Sequence, residues 1–174
     1  LSPNTQDNLI NAEIEFKSNY KNFNYDFTSV ILKYTKSFEY EIHQLFKIAL
    51  RVLIQTNPQI AKLKYSANGL EKDVESILKI KANLGTYNFL LKQDLVKSTI
   101  DTSVLPFGVK KFLTTSVPYY IKMVQDIRNE NVHGKSATLD EAIELRAEML
   151  GIGKQSLLVE IVKSKNKIME GTVN

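Results

Sequence analysis

The sequence predicts an all-α fold, a bundle of about five helices. Apolar residues recur at steps of three and four over long stretches, which is the period of an amphipathic helix. Glycine and proline are scarce, at 7 and 4 of 174 residues, whereas chains built from many short strands need such turn residues more often. No alternation of apolar and polar residues is long enough to predict a strand. The length favours one domain, and no boundary is evident.

The longest predicted helix covers residues 27–56. Its apolar positions follow the helical period for about seven turns, and its charged residues occupy the other side. The helix should end near Asn57, because a residue that precedes proline avoids the helical conformation. A shorter helix is predicted upstream, over residues 5–17.

The middle of the chain is predicted to alternate short helices with loops. After a connection that contains Asn68-Gly69, residues 70–82 show the spacing of an amphipathic helix. Gly85 should break or cap that helix, and the apolar run at residues 87–91 should form a short helix of its own. Residues 98–108 are predicted to be a loop.

A second long helix is predicted to begin at Ser116 and to run out at Gly134. Pro118 then lies in the first turn, where its missing N–H group costs no hydrogen bond. Helical spacing predicts the face that packs in the core: Val117, Tyr120, Ile121, Val124 and Ile127.

Two more helices complete the predicted bundle. Thr138 and Glu141 have the spacing of a capping box, in which each side chain accepts a hydrogen bond from the other residue's backbone N–H. The helix that begins there should end at Gly151, because glycine readily adopts the left-handed conformation of a C-cap. The last helix is predicted over residues 155–165.

The composition excludes several kinds of functional site. The chain has no cysteine, which excludes disulfides, thiolate zinc sites and a cysteine nucleophile. Its two histidines are too few for a histidine-rich metal cage, so neither a metal nor a cofactor is predicted. The formal net charge of +4 permits an anionic partner without requiring one.

The sequence also bears on cellular location. No apolar run approaches the roughly 18 residues of a membrane span, and the first residues lack the features of a signal peptide. We therefore expect a cytoplasmic protein with no membrane contact. The chain does not begin with methionine, which indicates a fragment of a longer polypeptide or a processed product.

One segment carries residues suited to catalysis, Arg128 and His133 near the predicted end of the helix from Ser116. A guanidinium can bind a phosphate through paired donors, and an imidazole titrates near neutral pH. On a regular helix these side chains point about 140° apart. They converge only if the helix end loosens, which Gly134 permits.

The segment Arg128-Asn129-Glu130-Asn131-Val132-His133 resembles the Arg-(four to six)-His motif of HEPN domains, which are small all-α bundles. The polar residue after the arginine, Asn129 here, is one that the family favours. The resemblance covers most of residues 26–165. It leaves residues 1–25 as an N-terminal extension with a short helix and residues 166–174 as a C-terminal tail.

The resemblance implies a metal-independent endoribonuclease that acts as a homodimer. The 2′-OH of RNA would attack the adjacent phosphate, while His133 transfers protons and Arg128 stabilises charge on the phosphoryl oxygens. One protomer supplies one motif histidine, whereas the reaction needs both a base and an acid, so two-fold symmetry would supply the second. The family's defence and toxin systems also imply an antitoxin or a regulatory domain as a partner.

Other residues remain open to more than one interpretation. Asn129 either orients the catalytic pair or is a solvated polar residue. In the family the motif residues of both protomers line a shared groove, and Tyr119 could face that groove and stack on a base. Lys135 is also predicted to bind RNA. His43 is predicted to be structural. A function of another class also fits, namely a non-catalytic dimerisation or RNA- or nucleotide-binding module of a larger defence or signalling protein.

Overall fold

A computed structural model describes residues 1–67, 69–132 and 136–171, with side chains at all of these except residues 130–132. The described residues are mostly helical, as predicted, with a two-stranded antiparallel ribbon as the exception. In chain order the elements are α1 (Pro3–Asn19), α2 (Thr28–Thr56), α3 (Gln59–Lys62), β1 (Lys64–Ala67), β2 (Leu70–Asp73), α4 (Leu84–Lys92), α5 (Asp94–Thr102), α6 (Phe107–Lys111), α7 (Val117–Val132), α8 (Leu139–Leu150) and α9 (Leu157–Gly171). Among them, no helix is both long enough and apolar enough to cross a membrane.

The helices with clear start and stop signals lie where the sequence predicts them. The α2 helix matches the prediction for residues 27–56, and α1 matches and extends the one for residues 5–17. Both hydrogen bonds of the Thr138–Glu141 capping box are present at the start of α8, and Gly151 ends that helix with a φ of 81°. The α9 helix is longer than predicted, since it continues to Gly171.

The helix predicted for residues 70–82 is wrong. Residues 70–73 form β2 and residues 74–78 form a single 3₁₀ segment. Ala67 pairs with Leu70, so only the Asn-Gly dipeptide connects the two strands. In a sequence, Asn-Gly between two strands is the strongest short-range signal for a hairpin, and Gly69 has the positive φ, 75°, that such turns favour. That turn preference overrides the helical spacing of the few apolar residues after it.

The loop predicted for residues 98–108 is shorter than expected, covering residues 103–106, and the helix start predicted at Ser116 is wrong. Residues 98–102 belong to α5, and the chain is helical without interruption from Phe107 to Val132. Residues 112–116, between α6 and α7, form a π-helical turn. Pro118 therefore lies inside a continuous helix, just after this turn, rather than at its beginning. Proline and π-turns are both common where a helix bends.

The described residues form two compact units. Unit 1 comprises Leu1–Ile42 and Met123–Val162, and unit 2 comprises His43–Lys122 and Lys163–Asn174. The largest fully buried side chains of unit 1 are Phe27, Ile31, Tyr34, Phe38 and Ile42, and those of unit 2 are Leu45, Leu50, Ile60, Ile77, Tyr87, Leu90 and Ile100. On α7, Val117, Ile121 and Val124 are buried as predicted, whereas Tyr120 and Ile127 are only partly buried.

Ionic hydrogen bonds join three helices of unit 1. Arg146 on α8 donates from Nε and Nη2 to the two carboxylate oxygens of Glu13 on α1, at 2.6 and 2.8 Å. The hydroxyl of Tyr34 on α2 donates to the same carboxylate. The hydrogen bonds from Arg146 are the main reason that the pKa of Glu13 lies below its ordinary value. The α1 helix is thus part of the packed unit 1.

Candidate functional site

Arg128 lies near the C-terminal end of α7, in unit 1. Its Nη1 donates to Oε1 of Glu39 on α2 at 2.7 Å, and 49% of the Arg128 side chain is exposed against 17% of the Glu39 side chain. The two residues are 89 positions apart in sequence, so the packing of α2 against α7 creates the pair. A guanidinium has five N–H donors. Arg128 can therefore keep its hydrogen bond to Glu39 and still offer other N–H donors to a phosphate that approaches from solvent.

The electrostatic setting of Arg128 is acidic. Unit 1 contains 8 Lys and Arg residues against 13 Asp and Glu, a formal charge of −5, whereas unit 2 contains 15 against 6, a formal charge of +9. The small net charge of the whole chain conceals this division. A polyanion that reaches Arg128 meets Glu39 directly and a negatively charged unit around it.

The other residues of the predicted motif are only partly described. Asn129 is exposed on α7, next to Arg128 in sequence. His133 and Lys135 lie outside the described residues. The backbone just after them is held in place, because Ala137 donates its N–H to Asp26 and Thr28 and accepts a hydrogen bond from the N–H of Phe27. The motif therefore begins at Arg128 in α7, and the chain after it is anchored at Ala137.

Tyr119 is in unit 2, in the first turn of α7. Its side chain is 64% exposed, and its ring makes an edge-to-face contact with Tyr120 at 5.2 Å between centroids. An exposed aromatic ring on a helix surface is available for stacking on a base. Tyr119 thus has the exposure that its predicted role requires, within a unit different from that of Arg128.

His43, the other histidine, is a core residue of unit 2. It is 9% exposed, and its Nδ1 shares a hydrogen bond of 2.7 Å with the hydroxyl of Tyr87. The Tyr87 hydroxyl also accepts from the N–H of Ala82, and its ring stacks on Phe46 at 4.4 Å. Burial lowers the pKa of His43 below its ordinary value, which favours the neutral ring. This environment agrees with the structural role predicted for it.

Two features of the structure are not predicted from the sequence. One is the hydrogen bond from Arg128 to Glu39, because no local spacing signals a partner 89 positions away. Unit 2 also has an open cavity of about 630 Å³, lined by residues of β1 and of the start of α4 and by Gly69, including Lys64, Asn83, Thr86 and Phe89. Arg128, Asn129 and Tyr119 do not line this cavity.

Comparison with protein-family models, with curated proteins and with solved structures finds no match for this chain. The functional assignment therefore depends on the residues and geometry described above.

Proposed function

We propose that this chain is a HEPN-type domain that cleaves RNA without a metal ion, in the cytoplasm and as a homodimer. The observation that carries the proposal is the position of Arg128. It is a half-exposed arginine, oriented by Glu39, near the end of the helix that leads to His133. The mostly helical chain around it is consistent with a HEPN bundle.

The proposed reaction is an intramolecular transesterification. The RNA 2′-oxygen attacks the adjacent phosphorus as its proton passes to a base, and the P–O5′ bond breaks as the 5′-oxygen receives a proton from an acid. His133 of one protomer and His133 of the partner subunit supply these two roles. Arg128 stabilises the phosphoryl oxygens, and Glu39 is a positioning residue for its guanidinium. The products are a 2′,3′-cyclic phosphate and a 5′-hydroxyl.

A second candidate function is a non-catalytic dimerisation or RNA- or nucleotide-binding module, regulated by another domain or by an antitoxin. Two observations favour it. The Arg128 guanidinium already forms an ion pair with Glu39, and unit 1 has a formal charge of −5. Both features weaken the attraction of Arg128 for a phosphate in comparison with a free arginine in a basic groove.

The test is cleavage of a mixed-sequence RNA pool in EDTA, with the product ends identified. We expect wild type to leave 2′,3′-cyclic phosphates, and Arg128→Ala and His133→Ala each to lower the rate by a factor on the order of 10² or more. Arg51→Ala is the matched control, because it removes an exposed arginine from α2 within unit 2. It should cleave as wild type does.

Three other results would be decisive. Equal cleavage by wild type and the Arg128 and His133 variants would show that the assigned residues are wrong. A folded dimer with no cleavage would favour the non-catalytic module. A strict monomer at high micromolar concentration in analytical ultracentrifugation would contradict the composite site.

His43→Ala is a poor control for these variants, because His43 is buried and hydrogen-bonded to Tyr87.

A further inference from the structure

Unit 2 is strongly basic, and several of its lysines are not engaged in ion pairs. Of the lysines on α6, α7 and α9 in this unit, Lys111, Lys122 and Lys167 have no ion-pair partner among the described residues. Acidic residues are few in the unit, and Glu170 is the acidic residue of α9 that belongs to it. A formal charge of +9 with unpaired lysines attracts polyanions.

Two exposed aromatic rings lie on the same helical segment as two of these lysines. Phe107 is 82% exposed and Tyr119 is 64% exposed, and both lie on the continuous helix from residue 107, as do the exposed Lys111 and Lys122. Lys167 of α9 lies alongside, with its Nζ 4.0 Å from the position that a Cβ on Gly108 would occupy. We call these five side chains the aromatic–lysine face.

The π-turn keeps this face on one side of the helix. Buried residues recur at every fourth position, at Val109, Leu113, Val117 and Ile121. Four residues of a regular α-helix turn by about 400°, so such a row drifts by about 40° at each step. The wider π-turn at residues 112–116 corrects the drift, because it places more residues in one turn. The exposed row, which includes Phe107, Lys111 and Tyr119, is aligned by the same correction.

We propose that the aromatic–lysine face binds single-stranded RNA. This inference rests on the proposed function and names the surface that holds the substrate. The lysines contact phosphates, and Phe107 and Tyr119 stack on unpaired bases, whose flat faces are accessible only in a single strand. From Phe107 to Lys122 the face extends for about 22 Å at 1.5 Å per residue, which is enough for several nucleotides.

The experiment measures the binding of a fluorescent 2′-O-methyl RNA 20-mer by anisotropy as a function of salt. This RNA lacks the attacking 2′-OH, so the measurement is independent of cleavage. One variant combines Lys111→Gln with Lys122→Gln, and a second combines Phe107→Leu with Tyr119→Leu. The matched control combines Lys62→Gln with Lys92→Gln, which removes two exposed lysines of unit 2 that lie outside the face.

We expect each face variant to bind about tenfold more weakly than wild type. The lysine variant should also lose about 1.4 from the slope of log K against log salt, at about 0.7 per phosphate contact. The aromatic variant should keep that slope, because stacking releases no counterions. The control should stay within about threefold of wild type. Inorganic polyphosphate should bind wild type and the aromatic variant equally well.

Several results would overturn the inference. One is RNA binding by the aromatic variant at wild-type affinity, which would indicate an acidic protein or another simple polyanion as the partner. A second is an equal loss in the Lys62/Lys92 control, which would mean that overall charge alone attracts RNA. A third is no binding by wild type at 50 mM salt. The 2′-O-methyl RNA could bind as expected while the same sequence with free 2′-OH groups is never cleaved. The catalytic proposal would then fail, and the proposal that the aromatic–lysine face binds RNA would stand.

Discussion

The two compact units differ in how they use their charged residues. In unit 1 the carboxylates connect helices: Glu13 with Arg146, Glu15 with Lys33, Glu39 with Arg128, and Glu41 with Ser2 and Thr5. In unit 2 the excess charge is carried by lysines, and several of them are exposed without an ion-pair partner among the described residues. Acidic residues thus contribute to the packing of unit 1, whereas basic residues determine the surface of unit 2.

This comparison changes where an anionic ligand is expected. The proposed reaction would take place at Arg128, in the unit with a formal charge of −5. Attraction of a polyanion is strongest in the unit with a formal charge of +9. Binding and chemistry would therefore depend on different groups, which variants of the two units can separate.

The largest effect on stability is expected for Glu41 of unit 1. Its carboxylate is fully buried, and Oε1 accepts from the N–H of Ser2 at 2.7 Å and from the hydroxyl of Thr5 at 2.8 Å. Glu41→Ala removes this acceptor from the buried Thr5 hydroxyl and from the half-buried N–H of Ser2. The free energy of unfolding should fall by about 3 kcal/mol or more, as measured by urea denaturation at pH 7.

The control for Glu41→Ala is Glu75→Ala, which removes an exposed carboxylate of unit 2. Its free energy of unfolding should stay within about 0.5 kcal/mol of wild type. Equal losses in the two variants would contradict the distinction between structural carboxylates in unit 1 and surface carboxylates in unit 2.

A smaller, pH-dependent effect is expected for Arg146→Met. Loss of the two hydrogen bonds to Glu13 should lower the free energy of unfolding by about 1–2 kcal/mol at pH 7. Because folding lowers the pKa of Glu13, its contribution is complete above the ordinary value of 4.5 and is lost as the pH falls through the folded-state pKa. The difference from wild type should therefore shrink below about pH 4.5.

Denaturation curves of wild type and Arg146→Met between pH 3 and 7 test this expectation. Arg51→Met serves as the control, because Arg51 is an exposed arginine of unit 2. A difference between wild type and Arg146→Met that is constant over the whole pH range would mean that packing of Arg146 on Phe16, rather than its charge, is what matters.

The smallest change with pH is expected for His43→Gln in unit 2, and the loss of the buried contact with Tyr87 adds a cost that does not depend on pH. Burial, with Lys47 and Lys81 nearby, lowers the pKa of His43 in the folded state. The unfolded state therefore binds the proton more readily, so stability declines as the pH falls below the ordinary value of 6.5. His43→Gln should remove this decline between pH 6.5 and 5, and His133→Ala should retain it. The reverse pattern in urea denaturation would show that His133 is the titrating group.

Much of the helical structure could be predicted, because its signals are local. Pro58 after α2, the Thr138–Glu141 capping box and Gly151 each act within one turn of the chain. The two-stranded ribbon is not predicted, although its signal is local too. Asn-Gly between two four-residue strands indicates a hairpin, but the strands are too short to show a clear alternation.

The π-turn is not predicted for a different reason. Apolar residues at every fourth position from Val109 to Ile121 match neither the mean helical period nor a strand. Pro118 then suggested a helix start, because a proline inside a helix is costly unless the backbone adjusts. The continuous packing of this segment favours the adjustment over a break.

The sequence by itself determined the helical class and the bounds of the helices with clear start and stop signals, such as α2 and α8. It did so because helix period, caps and turn residues involve neighbours within a few positions. Only the tertiary structure decided that Glu39 holds Arg128, that Glu13 binds Arg146 over 133 positions, and that the charge separates into an acidic and a basic unit. These outcomes depend on which distant helices pack together, and no local pattern of residues encodes that choice.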